Sequence, residues 1–464
     1  MSRKKIQVLI RQSPLLTWVL LGFLMSYISF FVYPIFFSSQ AMQFFKYLPA
    51  YDHIGSDLKL AIHFSELWFV FKQSPYEGIN LYSPLSILLF APLLIVKFSW
   101  AYKIVTLFNV FCYVMITFVF PLRISKERRV LPLLMLIFIT GLFSYGFQFE
   151  LERGQSNVIA IFICFLAIWI YHYHNRYRYL AYILFIISVQ LKIYPFIFIV
   201  MLISNWQDWR NNVKKLLTLA TVNFALFFVL GPNVFFDFLK SIIDNSLNAS
   251  VWAGNHSIHS FVTFFSNILY GNGWVWVKQY SGLIQIVLLA IILGCIFLIM
   301  LQAYRQKQKD INPFLLLACT IGACLIPSIS HDYKLSILGA PVAILFSNIR
   351  IWKKTNSPRL NIIYIVLLLI FSAAYSSTLF SFTNKHVILS NNFPALVMML
   401  LYITFLSLVS VNTNLEGKLS EPSETVLQRV EANDAVLASE TVAEPNRHLA
   451  KNTLIKIYRR IKND

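Results

Sequence analysis

The stretch FELERGQSN, residues 149–157, separates two apolar runs that are each long enough to cross a bilayer. It places two carboxylates, a guanidinium and two amides within nine residues. Such groups are costly in lipid and therefore face protein or water. The stretch predicts the polar end of a membrane helix, with a binding or catalytic role for its side chains.

The composition supports a membrane protein. The chain has 464 residues, of which 58% are hydrophobic and only 13% are charged, whereas soluble domains carry about 25% charged residues. Uncharged segments of about 20 residues recur between residues 15 and 411. We expect an all-α polytopic membrane protein with about 12–13 transmembrane or half-transmembrane helices and an amphipathic first external loop. The five cysteines all lie inside apolar runs, so we interpret them as small buried hydrophobes.

The net charge of +19 is mainly a topology signal. Lysine and arginine are concentrated in short loops, which the positive-inside rule assigns to the cytoplasm. These loops are residues 2–5, 123–129, 172–178, 209–215, 304–309 and 350–354. The sequence does not interleave basic and aromatic side chains on a soluble surface, so we do not expect a nucleic-acid partner.

With these loops inside, the remaining segments follow by parity. We expect crossings near 130–147, 157–171, 216–231, 283–301, 313–326, 335–348, 360–379 and 394–412. The apolar run at 180–204 must leave and return to the same side, and Lys192 to Pro195 interrupts it as two half-helices. Residues 82–98 remain ambiguous: either they only dip into the membrane, or the loop at 123–129 is external.

This topology puts the polar insertions on one external face, which predicts a single site. The first loop resembles an interfacial amphipathic helix that begins at Ser56 or Asp57. Asp57 is either an N-cap or a carboxylate positioned as a general base. In the second polar stretch, Glu150 or Glu152 either pairs with Arg153 and caps the next helix, or the cluster binds a polyhydroxylated ligand. Its candidate ligands are Glu152, Arg153, Gln155 and Asn157.

Further external candidates come from three later segments. Lys192 interrupts an apolar run before Tyr194, and its ammonium requires an anionic partner, either a carboxylate or a phosphate. Two further polar sets are supplied by NHSIHS, with Asn255, His256, Ser257 and His259, and by SISHDYK, with Ser330, His331, Asp332, Tyr333 and Lys334. From these sets Asn255, Ser257, His331 and Tyr333 are the candidate substrate ligands. His331 beside Asp332 does not form a recognised hydrolase or zinc motif, and the chain has no D-x-D for a divalent ion.

The order of several motifs resembles glycosyltransferase family 87 of the membrane C-type superfamily. These motifs are Asp-Leu after a long first loop, S-P-Y with Y-x-P-L, E-R-G-Q-x-N, L-K-x-Y-P, G-N-x-S and S-x-x-H-D-Y. The resemblance extends over about residues 15–412. It implies a polyprenyl-phosphate sugar donor, most often mannose, no metal or other cofactor, and inversion at the anomeric carbon.

By this resemblance Asp57 matches the family's presumed base, and His331 matches a site histidine. We expect Lys192, Arg153 and His331 to bind phosphate and sugar, and the other polar candidates named above to contact substrate. Ser83 and Leu58 depart from the family pattern, which leaves the acceptor open. A lipid-linked oligosaccharide polymerase or ligase is the nearest alternative, and a secondary transporter with broken helices is a further one.

The expected partners are a polyprenyl-phosphate sugar, a glycolipid or glycan acceptor, and membrane lipids. The expected location is the inner, or plasma, membrane, with the site facing the periplasm. We expect residues 1–412 to form the transmembrane domain and residues 413–464 a mostly disordered cytoplasmic tail. A basic segment at 448–463 is either a helix lying on anionic lipid or a solvated helix.

Overall fold

The computed structural model describes residues 54–76, 78, 80–125, 131–142, 144–249, 251, 254–348, 366, 370 and 391–420. Within these residues all extended regular elements are helical, and the only pairing of strand type is an isolated bridge between Asn255 and His331. The predicted class, an all-α polytopic membrane protein, is confirmed. The first apolar run, the predicted crossing at 360–379 and the basic segment at 448–463 lie outside the described residues.

The α-helices are numbered here in chain order. They are α1 Ser56–Phe69, α2 Pro84–Phe90, α3 Phe98–Val114, α4 Phe120–Ser125, α5 Leu131–Leu142, α6 Tyr145–Arg153, α7 Asn157–Tyr173 and α8 Arg178–Leu191. They continue with α9 Trp209–Ala225, α10 Pro232–Leu247, α11 Ile258–Gly271, α12 Val275–Gln279, α13 Ser281–Arg305, α14 Pro313–Leu325, α15 Gly339–Asn348 and α16 Phe393–Ser420. Two 3-10 helices, Tyr194–Leu202 and Asp332–Leu338, also contribute to the site.

Two described helices are long and apolar enough to span a bilayer alone. One runs from Phe98 to Ile124 through a π-helical turn, and the other is α13. Two further spans arise if bent pairs are each counted as one: α6 with α7, bent by 108°, and α9 with α10, bent by 104°. The shorter apolar helices include Pro84–Ile95 and Pro313–Leu325.

Two predicted irregularities of the apolar runs can be compared with the structure. Residues 84–95 form α2 and a short 3-10 helix, which together are too short to cross roughly 30 Å of hydrocarbon. This length favours the alternative in which residues 82–98 dip into the membrane without crossing it. The interruption at Lys192 is confirmed: α8 ends at Leu191, Lys192 is extended, and the chain resumes as a 3-10 helix at Tyr194.

The core of the helical bundle contains α7 and α14. Every residue from Leu315 to Leu325 on α14 is buried, and α7 is buried around most of its circumference. A helix that is apolar on all sides requires this central position. Gly322 allows close packing there, because a Cβ atom would lie 2.6 Å from Ile197 Cδ1 on the 3-10 helix.

The chain divides into two units by contact density. The first comprises residues 1–407 and contains the whole site described below. The second comprises residues 408–464, of which the described part, 408–420, is helical. Helix α16 therefore continues past residue 412, where the tail was predicted to begin.

Candidate active site

Asp57 lies in the first turn of α1. The N-cap is Gly55 at φ 72°, and no side chain caps this helix. The Gly55 N–H donates to the carbonyl of Glu152 at 2.6 Å, which fixes the start of α1 against the end of α6. The interpretation of Asp57 as an N-cap is therefore wrong. Its carboxylate instead points away from the helix axis toward Gln155 and Arg153.

The stretch 149–157 forms a tight corner between α6 and α7. Gly154 ends α6 at φ 64°, a left-handed conformation that glycine adopts without strain. The Glu150 carboxylate then accepts the backbone N–H groups of Asn157 and Val158 at 2.7 and 3.0 Å and the Asn157 side-chain amide at 2.9 Å. The prediction that Glu150 or Glu152 caps the next helix is confirmed for Glu150.

Gln155 joins a carboxylate to an ammonium. Its Nε2 donates to Asp57 Oδ2, and its Oε1 accepts from Lys192 Nζ at 2.9 Å. These opposite partners fix the orientation of the amide, because only its nitrogen donates and only its oxygen accepts. Residues far apart in sequence are thereby brought into one hydrogen-bonded chain, Asp57–Gln155–Lys192.

Aromatic side chains complete the surroundings of Lys192. Its Nζ lies 4.3 Å from the centre of the Tyr82 ring, which is a cation–π contact. Tyr194, two residues further on, donates its hydroxyl to the carbonyl of Asn157 at 3.3 Å. The break after α8 therefore turns both Lys192 and Tyr194 toward the start of α7.

This chain of groups opens onto a cavity of about 800 Å³. Most of the polar residues that line this cavity are predicted site residues. The polar lining comprises Asp57, Tyr82, Gln155, Asn157, Lys192, Tyr194, Ser246, Ser328, Tyr333 and Lys334. Most of the remaining lining is aliphatic or aromatic and includes Leu60, Phe64, Ile197, Ile242 and Leu293. The cavity thus combines a small polar region with a large apolar one.

Arg153 and Glu152 hold the corner together and do not line the cavity. The Arg153 guanidinium donates to Ser56 Oγ at 2.9 Å and lies 3.7 Å from Asp57 Oδ1. Its Nε lies 3.4 Å from Glu152 Oε2, and its plane lies over the Phe149 ring. Arg153 thus contacts the carboxylate of Asp57, whereas the sequence had placed it on substrate phosphate or sugar.

Asn255 and Ser257 do not reach the cavity, although both were predicted to bind substrate. Asn255 donates to the Ser328 carbonyl at 3.1 Å and accepts the N–H groups of Ser257 and Ser330. Ser257 donates to the same carbonyl at 2.9 Å and caps α11. Both residues are fully buried. Their hydrogen bonds connect the loop before α11 to the loop after α14.

His256, one of the polar residues of NHSIHS, forms the buried partner of Asp332, a pairing that the sequence analysis did not predict. Its Nε2 lies 2.9 Å from Asp332 Oδ1, and both side chains are fully buried. The Asn392 N–H approaches Nδ1 at 3.3 Å, and Asn391 Oδ1 lies 3.5 Å from the same nitrogen. Asp332 thus pairs with a histidine from another segment.

His331 lies beside the site rather than on the cavity wall. Its ring packs edge-on against Tyr333, with centroids 5.6 Å apart. Burial lowers the pKa of His331 to about 4, against the opposing charges of Asp332 and Asp57. The imidazole is neutral at pH 7, so it offers hydrogen bonding and not the positive charge expected of a phosphate ligand.

Lys334, which the sequence analysis placed in the polar set of SISHDYK without a specific role, lines the cavity. Its Nζ donates to the Ile329 carbonyl at 3.0 Å and lies 4.7 Å from the centre of the Tyr194 ring. The pattern that identified Lys192, a single lysine at the edge of an apolar run, also applies to Lys334 and would have suggested a role for it. In the described part of the chain, no group of three or more His, Cys, Asp or Glu side chains is arranged to hold a metal.

The fold and this site define a class: a helical membrane protein with a carboxylate–amide–ammonium chain at the edge of a largely apolar cavity. The model of glycosyltransferase family 87 matches residues 80–328, which is more than half of the chain. The chain belongs to that family and is a membrane glycosyltransferase. No curated protein and no solved structure matches it.

The matched region is narrower than the resemblance found in the sequence, which extended over about residues 15–412. It includes Glu152, Arg153, Gln155, Asn157 and Lys192. Tyr194, Asn255 and Ser257 also lie within it, whereas Asp57, His331 and Tyr333 lie outside. The geometry alone therefore connects Asp57 to the matched residues, through Gln155 and Arg153.

Proposed function

We propose that this protein transfers a sugar from a polyprenyl-phosphate donor to a hydroxyl of a lipid or glycan, with inversion at the anomeric carbon. Mannose is the leading candidate for this sugar. The observation that carries the proposal is the Asp57–Gln155–Lys192 chain at the edge of the 800 Å³ cavity. In the proposed reaction the carboxylate on one side of the Gln155 amide is the base, and the ammonium on the other side binds the phosphate. The apolar remainder of the cavity suits the isoprenoid chain.

In this reaction Asp57 is the general base. It removes the proton of the acceptor hydroxyl while that oxygen forms a bond to the anomeric carbon and the bond to the phosphate oxygen breaks. The leaving polyprenyl phosphate carries the electron pair away and is stabilised by Lys192. The Gln155 amide and the Arg153 guanidinium orient the Asp57 carboxylate before the acceptor arrives.

The active site is proposed to face the periplasm, from a position in the inner membrane. Helix α7 begins at Asn157 in the site and ends at Tyr173 beside a basic loop, about 25 Å away along the helix axis. At that far end His172 contacts the carbonyl groups of Met201 and Lys309, which brings basic loops together. Basic loops mark the cytoplasmic side.

The test is a transfer assay with purified protein in lipid nanodiscs. Synthetic polyprenyl phosphates carrying labelled mannose, other hexoses or pentoses are supplied with envelope lipid and glycan acceptors, and no ion gradient is present. The proposal predicts a labelled product and stoichiometric release of polyprenyl phosphate from one of these donors. A strict requirement for an oligosaccharide-carrying lipid would indicate a ligase or polymerase, and transport without transfer would contradict the proposal.

A further inference from the structure

The cavity contains a second lysine whose environment parallels that of Lys192. Lys192 and Lys334 each place Nζ over a tyrosine ring, Tyr82 at 4.3 Å and Tyr194 at 4.7 Å respectively. Each ammonium also donates to one neutral oxygen, from the Gln155 amide and the Ile329 carbonyl. Tyr194 lies on the chain between them, two residues after Lys192.

In the described part of the chain neither ammonium lies within 4.0 Å of a carboxylate, although the charges of Glu150 and Asp57 act on Lys192 at longer range. The ion pairs found there at 4.0 Å or less involve Asp57, Glu66, Glu152 and Asp332, and none of them includes a lysine. Lys334 is buried and Lys192 is half-buried. Cations taken out of water are normally paired with an anion, because their desolvation is costly. Two such cations lining one cavity therefore form a binding place for an anionic group.

We propose that Lys334 and Lys192 together bind the phosphate of the donor, and that Lys334 acts with Lys192 to neutralise the charge that appears on this phosphate as the sugar leaves. This inference rests on the proposed function. The donor phosphodiester carries one negative charge. When the bond between the anomeric carbon and the phosphate oxygen breaks, the electron pair stays on that oxygen, and the phosphate gains a second charge. The acceptor proton passes to Asp57 at the same time, so atoms and charges balance.

The electrostatic surroundings of Lys334 match this role. Burial lowers the pKa of Lys334 to about 7, opposed by Cys324 and reinforced by the positive charge of Lys192. The titratable and charged groups near this lysine come from several elements. They are His331, Asp332 and Tyr333 on its own segment, Cys324 from α14, and Lys192 and Tyr194 from the break after α8. Glu150 from α6 and Asp57 from α1 act on Lys192 and Tyr333.

The pH dependence follows from that pKa. A bound phosphate stabilises the protonated lysine, so above pH 7 binding requires proton uptake and the affinity falls as pH rises. An arginine at position 334 remains charged throughout. We therefore expect Lys334→Arg to bind phosphate with a flatter dependence between pH 7 and pH 9 than the wild type.

The experiment uses the full chain in detergent micelles with geranyl phosphate, geraniol and inorganic phosphate as probes in a binding titration. Wild type is expected to prefer geranyl phosphate to both other probes. Lys334→Met should weaken geranyl phosphate binding at least about ten-fold and leave geraniol binding unchanged. Lys278→Met is the matched control, because Lys278 also lies over a tyrosine ring, at 4.6 Å, but is exposed and away from the cavity.

The outcomes separate this inference from the transfer reaction. Equal binding of geranyl phosphate by wild type and Lys334→Met, with transfer intact, overturns the role of Lys334 and leaves the proposed function standing. If phosphate binding depends on Lys334 but no polyprenyl-phosphate sugar supports transfer, the proposed function is overturned and the phosphate-binding role of Lys334 stands. Equal affinity for inorganic and geranyl phosphate would overturn the joint site. Recovery of binding in Lys334→Arg distinguishes a lost charge from a misfolded variant.

Discussion

Two polar clusters of this protein have similar composition. The rim cluster, Asp57, Gln155, Lys192 and Lys334, lines the cavity. The seam cluster, Asn255, His256, Ser257 and Asp332, is fully buried, and most of its hydrogen bonds are made to the backbone or to its own members. Both contain amides and ionisable groups next to apolar helices. They differ in the surroundings of their polar atoms, which line a cavity in the rim cluster and are enclosed by protein in the seam cluster.

This difference indicates that the rim cluster is available for substrate binding and that the seam cluster stabilises the fold. In the seam cluster, side chains satisfy backbone groups of the loops before α11 and after α14, so those groups contribute to stability. In the rim cluster, the cations have neutral partners and open space beside them. The comparison predicts that rim substitutions change transfer and that seam substitutions change stability.

The largest expected effect is at Asp57. Asp57→Asn keeps the shape of the side chain but removes the base, and we expect kcat to fall about 10²- to 10⁴-fold while donor binding survives. Glu66→Gln is the matched control, because Glu66 is on the same helix and pairs with exposed His63. Single-turnover transfer in nanodiscs measures the effect. Retained turnover in Asp57→Asn would remove this residue as the base.

Lys192→Ala should have the next largest effect on transfer. Loss of a charge-assisted contact to phosphate corresponds to about 1.5–3 kcal/mol, so the donor KM should rise or kcat should fall by about 10- to 100-fold. Steady-state kinetics with varied donor concentration provide the measurement. Lys59→Ala on the exposed side of α1 serves as the control. Kinetics identical to wild type would take Lys192 out of the phosphate site.

His256→Ala tests the seam cluster. Removing one partner of a buried pair leaves Asp332 uncompensated, which is expected to lower the free energy of unfolding by about 3–5 kcal/mol. The thermal midpoint in detergent should drop accordingly, with an unchanged donor KM in the protein that remains folded. A raised KM without loss of stability would mean that the seam cluster binds substrate.

Ser257→Ala is expected to have the smallest effect. Ser257 accepts the Ser260 N–H as the cap of α11, and loss of such a cap costs about 1 kcal/mol. Thermal unfolding should show this modest loss, and the transfer rate should equal that of wild type. If donor KM rises instead, the original prediction of Ser257 as a substrate ligand is restored.

The sequence predicted those features that hydropathy and local backbone chemistry determine. Low charge and long apolar runs indicated the helical membrane class, Pro195 marked the interruption after Lys192, and the carboxylates of FELERGQSN indicated a helix cap. The motif order indicated the family that the match to residues 80–328 shows.

Contacts between distant segments were not predictable in this way. Arg153 and Gln155 are two residues apart, yet Arg153 contacts Ser56 and Gln155 lines the cavity, because the left-handed Gly154 separates their directions. Asn255 was assigned to substrate because the sequence predicted its side of the membrane but not its partner Ser328. Lys334 acquires its setting from Tyr194, which the 3-10 helix after α8 places beside it.

The most direct test of this account is a cryo-EM structure with a non-hydrolysable polyprenyl-phosphonate mannoside bound. The account predicts the phosphonate within hydrogen-bonding distance of Lys192 Nζ, the anomeric carbon on the Asp57 side, and the isoprenoid chain along the apolar wall formed by Leu60, Phe64 and Ile197. A phosphonate bound at the seam cluster, or at the basic loops where α7 ends, would contradict it.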